Sequence, residues 1–380
     1  MHSSILAAIL LLCLLSFTVE SRKLHRTDNE SSTNGTQGVV LIAGWHGYEK
    51  YRHQADVRHA YQIPKSRGLK DEALSATEAD FKVITVMKDG SGNFTTVTDA
   101  LNGIPMSNAN RVIIKIGGGL YWEKITIDRS KKNITFYGDP NDMPKISFNG
   151  TAADYNGTLN SATVAVESDY FMAVNIEFVN SAPMPDGKRE GAQAVAMRIS
   201  GDKATFYNCK FIGYQDTLCD DKGKHLFKDC YISGTVDFIF GNGQSMYLNT
   251  TLRSVSNKTG VITAQARSNE NEKSGFVFVY CNVTGTNETE LGRPWKEKAR
   301  VIFAHTYMDT VVNKEGWSDG MKAGEHKSPY FGEYKCWGPG ANLTGRAKFV
   351  KNLTDEEARP FLSMAFIDGD NWIVPPPMVP

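Results

Sequence analysis

Two segments of the chain repeat the same residue pattern at an interval of 21 residues. The corresponding positions are Phe206 and Phe227, Cys209 and Cys230, Gly213 and Gly234, and Asp216 and Asp237. Both segments consist of short β-rich runs and lack helical periodicity. A repeat of about 20 residues of this kind is typical of the stacked coils of a parallel β-solenoid. We therefore predict an all-β fold, a parallel β-helix.

The repeat also places two carboxylates together. Residues at one phase of successive coils lie one strand spacing apart, about 4.8 Å, so Asp216 and Asp237 should be neighbours. Two carboxylates at that separation do not both ionise readily, and one member keeps a raised pKa. The alternative is that both are turn residues on a solvated rim. Their surroundings, Gln215 beside Asp216 and the apolar run VDFIFG around Asp237, favour an acid and base at one site.

From Phe81 onward the chain consists of short β-branched runs broken by Gly, Asn and Asp, which indicates one contiguous solenoid domain. An amphipathic helix near Thr96 to Ile104 is expected to cap the open end and cover its edge strands. After Asp309 the pattern loosens, and we expect C-terminal loops with a helix over Asp355 to Met364.

The N-terminal region has a different character. The apolar run from Ile5 to Val19 is too short to span a membrane and matches a signal-peptide core, so residues 1–21 are interpreted as a signal peptide. Residues 22–78 form a basic polar arm, with a short helix expected around Gln54 to Tyr61, and residues 79–380 the catalytic domain. Twelve Asn-x-Ser/Thr sequons fit a secreted glycoprotein.

The overall charge and the cysteine content give no indication of a nucleic-acid, membrane or zinc-binding protein. Lys plus Arg and Asp plus Glu both total 42, so nothing indicates a nucleic-acid or membrane partner. Beyond the signal peptide five cysteines remain, an odd count. Cys209 and Cys230, one coil apart, could form a disulfide or stack as free thiols. No spacing suggests a zinc site, and no motif calls for a cofactor.

Several further segments resemble the pectin methylesterases (pectinesterases), the plant type in particular, from about Phe81 to the end. They include KDGSGNFTTVTDAL, GLYWEKI, SATVAV, AQAVAMR, YQDTL, GTVDFIFG, TAQAR, LGRPW and GEYKCWGPGA, in family order. The resemblance is to a short form, because only about 50 residues separate the signal from Phe81 and leave no room for the inhibitor-like pro-region of many plant members.

The resemblance implies a right-handed parallel β-helix that hydrolyses galacturonate methyl esters in homogalacturonan, releasing methanol and pectate in the cell wall. Carried over by motif, Asp237 would be the nucleophile and Asp216 the general acid and then base. Arg293, if it reaches Asp237, would hold it ionised. The Gln193 and Gln215 amides are neutral donors suited to an oxyanion.

For substrate binding, the resemblance implies Thr158, Gln193, Arg293 and Trp295, with Tyr155 and Phe240 as weaker candidates. Phe240 could equally be a core residue, and Trp295 a packing residue. Tyr121 and Glu123 are assigned to structure. The expected partner is the polysaccharide substrate, and a proteinaceous inhibitor is a second candidate partner. The protein is expected to be a monomer.

The sequence departs from the family pattern at two positions. Cys219 follows QDTL where many relatives have a Tyr near the substrate. Thr250 stands where many plant members have a Cys that bridges to the one matching Cys230, so that bridge cannot form and Cys209 becomes the alternative partner.

Three rival functions have some support in the sequence. The sequence GWSDG, Gly316 to Gly320, with His326 downstream, matches a serine-hydrolase nucleophile elbow but lacks the strand before it and the helix after it. A pectate lyase or polygalacturonase would need a calcium-binding acidic cluster or more catalytic Asp residues. A non-catalytic pectin-binding wall protein of the same fold is the remaining alternative, against which stands the complete set of candidate catalytic residues.

Overall fold

The computed structural model describes residues 81–320 and 327–379. The predicted signal peptide, the basic arm and the helix around Gln54 to Tyr61 lie outside the described residues. Within them, the strands in chain order are β1 Lys82–Val86, β2 Val112–Ile116, β3 Leu120–Trp122, β4 Ile125–Ile127, β5 Ile134–Tyr137, β6 Lys145–Phe148, β7 Val164–Val166, β8 Met172–Val174, β9 Glu177–Asn180, β10 Met197–Ile199, β11 Ala204–Tyr207, β12 Lys210–Ile212, β13 Leu218–Asp220, β14 Lys224–Lys228, β15 Tyr231–Gly234, β16 Ile239–Gly241, β17 Gln244–Leu248, β18 Thr251–Ser254, β19 Gly260–Gln265, β20 Gly275–Val279, β21 Asn282–Gly285, β22 Thr289–Pro294, β23 Arg300–Ala304, β24 Tyr307–Met308, β25 Tyr330–Tyr334 and β26 Lys351–Asn352.

These strands form three parallel sheets. The sheets have eleven strands (β1-β2-β5-β8-β11-β14-β17-β20-β23-β25-β26), eight strands (β3-β6-β9-β12-β15-β18-β21-β24) and seven strands (β4-β7-β10-β13-β16-β19-β22). From β2 to β22 the chain visits the eleven-, eight- and seven-stranded sheets in strict rotation, so each circuit is one coil. The fold is a right-handed parallel β-helix, and the prediction from the 21-residue repeat is confirmed.

The corner between the eleven- and eight-stranded sheets is made by one residue per coil with positive φ. In successive coils these residues are Asn175, Asn208, Asp229, Asn249, Tyr280, His305 and Lys335. Asn and Asp tolerate this left-handed conformation better than other non-glycine residues. Their side chains also bond along the column, since Asn208 Nδ2 donates to Asn175 Oδ1 at 2.9 Å and Asn249 Nδ2 donates to Asp229 Oδ1 at 2.7 Å.

The interior is filled by columns of like residues. Phe206 and Phe227 stack with ring centroids 4.7 Å apart and an interplanar angle of 2°. Tyr247, Phe278 and Phe303 extend the column at 4.5 to 4.6 Å per step. All five rings are fully buried, and burying each large side chain stabilises the fold by about 2 to 3 kcal/mol. The phase shared by Phe206 and Phe227 in the sequence is therefore a core position.

A second interior column contains the cysteines and shows whether Cys209 and Cys230 form a disulfide. The residue after each corner position points inward, and in successive coils it is Ile176, Cys209, Cys230, Thr250, Cys281, Thr306 and Cys336. The thiols of Cys209 and Cys230 are free and buried, and each donates to the carbonyl two residues before it, at 3.4 Å. Of the two arrangements left open by the sequence, the structure has stacked thiols rather than the bridge.

A polar cluster is enclosed in the interior beside the aromatic column. His225 Nδ1 lies 2.6 Å from Asp220 Oδ1, and Nε2 lies 2.9 Å from the Gly201 carbonyl oxygen. The Tyr247 hydroxyl donates to Asp220 Oδ2 at 2.7 Å, and all three side chains are inaccessible to solvent. Burial alone lowers the pKa of His225, but the Asp220 carboxylate and the Gly201 carbonyl together raise it above its usual value.

Helices are short and peripheral. Helix α1, Val97–Asn102, matches the predicted capping helix, and Thr96 is its N-cap. The Glu123 carboxylate accepts hydrogen bonds from the Val97 and Thr98 backbone N–H groups, as its assignment to structure predicted.

The predicted C-terminal helix is shorter than expected. Helix α2, Asp355–Ala358, stops early because Pro360 provides no N–H donor, and a 3-10 turn, Arg359–Phe361, follows. The remaining 3-10 turns are Thr158–Ser161, Pro339–Ala341, Met364–Ile367 and Gly369–Asn371. Among the described residues, no helix has the length and apolar character to cross a membrane.

Candidate active site

Asp216 and Asp237 occupy equivalent turns at the corner between the eight- and seven-stranded sheets. Both have left-handed backbone conformations, with φ of 65° and 50°, and both are only 9% exposed. The Asp216 N–H donates to the Val236 carbonyl at 3.1 Å, so the two turns stack directly. Left-handed geometry costs about 1 kcal/mol or more at a non-glycine residue and persists only where the surroundings hold it. The phase relationship in the sequence therefore becomes a physical pair.

Close contact between these turns depends on Gly234. A Cβ atom there would lie 2.2 Å from the Phe238 Cβ and 2.5 Å from the Tyr214 carbonyl oxygen. The Thr235 N–H donates to that same carbonyl at 2.9 Å. Any larger residue would push the two coils apart at the site, which explains why the repeat keeps glycine at this phase.

Arg293, on β22, reaches Asp237 from two strands away. Its Nε donates to Asp237 Oδ1 at 2.8 Å, and its Nη2 donates to Asp237 Oδ2. A bidentate, charge-assisted pair of this kind stabilises the carboxylate form and fixes its orientation. The hydrogen bond to Asp237 in turn raises the pKa of Arg293.

Asp216 has the opposite environment. Burial raises its pKa well above the usual range, the Asp237 carboxylate raises it further, and Arg293 opposes both. The pair thus separates into a carboxyl group held by an arginine, Asp237, and one with a raised pKa, Asp216. The sequence predicted that one member would keep a raised pKa.

Gln193 and Gln215 lie on the same row of turns. The Gln215 carbonyl accepts a hydrogen bond from the Ala194 N–H at 3.2 Å, so the turns that carry Gln193 and Gln215 lie in neighbouring coils, with Gln193 one position before Ala194 and Gln215 directly before Asp216. Both side chains are half-buried.

Trp295 and Arg293 form the adjoining surface, with Phe240 buried next to Trp295. Pairing of β10, β13, β16, β19 and β22 sets one row of residues across the outer face of the seven-stranded sheet: Arg198, Cys219, Phe240, Ala264 and Arg293. Trp295 is 48% exposed, and its ring lies 5.9 Å from that of Phe240. Phe240 is 4% exposed and packs with Cys219 in a small cluster of buried residues.

Thr158 and Tyr155 come from the segment between β6 and β7. Ser161 connects Thr158 to the glutamine row, the stacked turns that carry Gln193 and Gln215. Its Oγ donates to the Thr158 carbonyl at 2.6 Å and accepts from the Val195 N–H at 3.1 Å. The Tyr155 ring instead contacts Phe148, at 6.3 Å, and the ammonium of Lys124, at 4.6 Å.

One charged neighbour was missed from the sequence. Glu290, three residues before Arg293, has its pKa raised by burial, and its charge interacts with Arg293 and Asp237. Nothing in the repeat singles it out. Among the described residues no group of three or more His, Cys, Asp and Glu side chains is arranged to hold a metal ion.

Comparison with known proteins agrees with this architecture. Residues 83–370 match the family profile described as Pectinesterase, and a second profile, Peptidase C13 family, matches residues 38–84. A putative pectinesterase 63 of Arabidopsis thaliana is 56% identical over 319 residues, covering 84% of this chain and 92% of the relative. Pectinesterase 2 of Olea europaea is 54% identical over 312 residues, covering 81% and 85%.

Solved structures show the same fold. Pectin methylesterase from carrot superposes with a TM-score of 0.71 at 34% identity, covering 76% of this chain and 94% of that one. A pectin methylesterase in complex with a hexasaccharide superposes with a TM-score of 0.67 at 26% identity, covering 78% and 100%. The shared parallel β-helix and the relatives of 54% and 56% identity define the class of this protein, the carboxylic ester hydrolases. Within it, the chain belongs to the pectinesterase family.

Proposed function

We propose that this protein hydrolyses the methyl esters of galacturonate in homogalacturonan, yielding methanol and pectate. The observation that carries the proposal is the bidentate Arg293–Asp237 pair beside the buried Asp216 carboxyl. Ester hydrolysis through a covalent intermediate needs an oriented carboxylate and a nearby acid. The site offers one of each.

In the first half-reaction, an oxygen of Asp237 attacks the ester carbonyl carbon and forms a tetrahedral intermediate with a negatively charged oxygen. The Gln193 and Gln215 amides donate hydrogen bonds to this oxyanion. The intermediate collapses by breaking the bond to the methoxy group, which leaves as methanol with the proton of Asp216. An anhydride between Asp237 and the galacturonate carboxyl remains.

In the second half-reaction, Asp216, now a carboxylate, takes a proton from water as the water attacks the galacturonate carbonyl of the anhydride. Breakdown of that intermediate releases the free galacturonate carboxyl and restores Asp237 as a carboxylate. Arg293 holds Asp237 by two hydrogen bonds before and after the cycle. The same Asp216 serves as acid and then as base, which its raised pKa supports.

Sugar units of the substrate are assigned to the surface around this pair. Trp295 offers an exposed ring face, with Phe240 beneath its edge, and Thr158 approaches from the segment tied to the glutamine row. Tyr155 is retained as a more distant contact. Pectin oligosaccharide is the natural ligand class, since a relative of the same fold is described in complex with a hexasaccharide.

The setting of this activity is the cell wall, which requires secretion. We retain residues 1–21 as a signal peptide, residues 22–78 as a basic arm, and the sequons as glycosylation sites. Exposed sequon asparagines in the described residues include Asn93, Asn149, Asn249 and Asn282. The proposal also includes a proteinaceous inhibitor as a binding partner and a monomeric enzyme.

The decisive experiment measures methanol released from highly methyl-esterified pectin by the purified protein. A time-dependent release with a matching fall in pH supports the proposal. A folded protein that binds pectin and releases no methanol contradicts it.

A further inference from the structure

The terminal strand of the eight-stranded sheet, β3, presents two large apolar side chains to solvent. Leu120 is 48% exposed and Trp122 53%, whereas Tyr121 between them is 2% exposed. Trp122 does not stand alone. Its ring centroid lies 5.7 Å from that of Phe148, which lies 6.3 Å from that of Tyr155. We call Trp122, Phe148 and Tyr155 the aromatic ledge.

One segment of the chain, between β6 and β7, links the ledge to the candidate active site. Tyr155 and Thr158 belong to one segment, and that segment is bonded through Ser161 to the glutamine row. Lys124 fixes the other side of the segment, because its ammonium donates to the Asn160 and Ala162 carbonyls, each at 2.7 Å. The segment that carries both Tyr155 of the ledge and the candidate contact Thr158 is therefore held on two sides.

Strand pairing gives the position of the ledge along the helix axis. Trp122 pairs with Ser147, Ser147 with Val179, and Val179 with Ile212, which lies in the coil that carries Asp216. Three strand spacings of about 4.8 Å place Trp122 about 14 Å from that coil along the axis, and two place Phe148, on β6, about 10 Å from it. A polymer bound at the carboxylate pair extends well beyond this distance, whereas a dimer or trimer does not.

The chemistry of the ledge indicates which units it would hold. Aromatic faces bind the C–H faces of sugar rings, and methyl-esterified galacturonate carries no charge that would need a cation. The ammonium of Lys124 is already bonded to two carbonyls and lies over the Tyr155 ring, 4.6 Å from its centroid. A free carboxylate would gain little there.

Building on the proposed function, we propose that the aromatic ledge is a distal subsite that binds methyl-esterified units of the same polygalacturonate chain whose ester lies at Asp216 and Asp237. Trp122 is its main contact. The subsite would keep an esterified stretch of polymer on the enzyme while one ester is cleaved.

The test compares Trp122→Ala with wild type on two substrates, long methyl-esterified polygalacturonate and an esterified trimer. We expect KM for the polymer to rise roughly tenfold, with kcat and the trimer kinetics unchanged, as for loss of one aromatic platform. Trp122→Phe should recover most of the affinity. Trp337→Ala is the matched control, since Trp337 is 47% exposed and pairs with Tyr307 at the opposite end of the same sheet.

Three results would overturn the proposal: unchanged polymer kinetics in Trp122→Ala, an equal loss on trimer and polymer, or the same loss in Trp337→Ala. Methanol release from the trimer by wild type tests the esterase separately. Calorimetric binding of both substrates in the Asp237→Asn background tests the ledge without turnover. A length-dependent loss of affinity on adding Trp122→Ala supports the ledge even if the esterase proposal fails.

Discussion

Arg293 and Asp237, 56 residues apart in the chain, are joined by two parallel hydrogen bonds on the outer face of the seven-stranded sheet. The contact crosses from β22 to the turn before β16, over the intervening strand β19. It makes the two carboxyl groups of the site unequal, because only Asp237 has the guanidinium as its hydrogen-bond donor. Burial and the Asp237 charge raise the pKa of Asp216 beside it.

Replacing Asp237 with Asn should abolish methanol release, with kcat lowered by about 10⁴-fold or more, because an amide oxygen is a poor nucleophile. Asn tolerates the left-handed conformation at this position, so the melting temperature should change little. Asp229→Asn is the matched control, since Asp229 has φ of 57° in a turn at another corner. Full activity in Asp237→Asn would exclude it as the nucleophile.

Truncation of either glutamine should affect turnover more than binding. Gln193→Ala and Gln215→Ala are each expected to lower kcat by about 10²- to 10³-fold with little change in KM, since the oxyanion exists only after attack. Steady-state kinetics on esterified pectin measure both constants. A rise in KM with unchanged kcat would instead make these residues ground-state contacts.

The pH dependence of kcat should report Asp216. Burial and the Asp237 charge raise its pKa, so the group remains a usable acid above the pH at which an ordinary carboxyl is ionised. Activity should therefore fall as the pH rises through this raised pKa, because the departing methanol then lacks its proton donor. Circular dichroism over the same pH range excludes unfolding as the cause. A kcat that stays flat on the alkaline side would contradict the assignment.

The buried His225–Asp220 pair should make stability depend on pH. The pKa of His225 is raised in the folded state, so the pair contributes fully below the ordinary histidine pKa of about 6.5 and is lost as the pH rises through the raised value. His225→Gln should lower the free energy of unfolding by about 3 to 5 kcal/mol near pH 5 and by less at alkaline pH.

Chemical denaturation at several pH values measures this difference. Tyr247→Phe is the control, because it removes a hydrogen bond to Asp220 without removing the imidazole. A loss that is constant across the pH range would show that His225 contributes packing and not charge.

The sequence predicted the parts of the site that follow the constant period. Asp216 and Asp237 are 21 residues apart, and so are the paired strand residues Leu218 and Ile239. Two equal coils stack residue on residue, so sequence phase and spatial adjacency coincide. The later coils differ in length, as Ile239 pairs with Thr263 and Thr263 with Gly292. No sequence period relates Asp237 to Arg293, so only the family resemblance suggested that these two residues would be in contact.

Other features depended on three-dimensional packing from the start. The sequence left Cys209 and Cys230 undecided between a bridge and free thiols, because both arrangements fit stacked positions. The predicted C-terminal helix was too long, because the prediction from the sequence pattern did not take into account that Pro360 lacks an N–H donor. Trp122 was overlooked because the alternation of inward and outward side chains along β3 does not show whether another segment covers the outer face of this strand.

By itself, the sequence determined the parallel β-helix, the alignment of Phe206 with Phe227 and the proximity of the two carboxyl groups. Each follows from a local period, and hydrogen bonding between parallel strands converts a period directly into neighbours. The tertiary structure decided which carboxyl group receives the arginine, which thiols stay free and where an aromatic surface remains open to solvent. The arginine contact and the open aromatic surface depend on the unequal lengths of the segments between strands, because these segments set which side chains meet across coils and which are left uncovered. The free thiols depend instead on side-chain orientation, since Cys209 and Cys230 each donate to the carbonyl two residues before them.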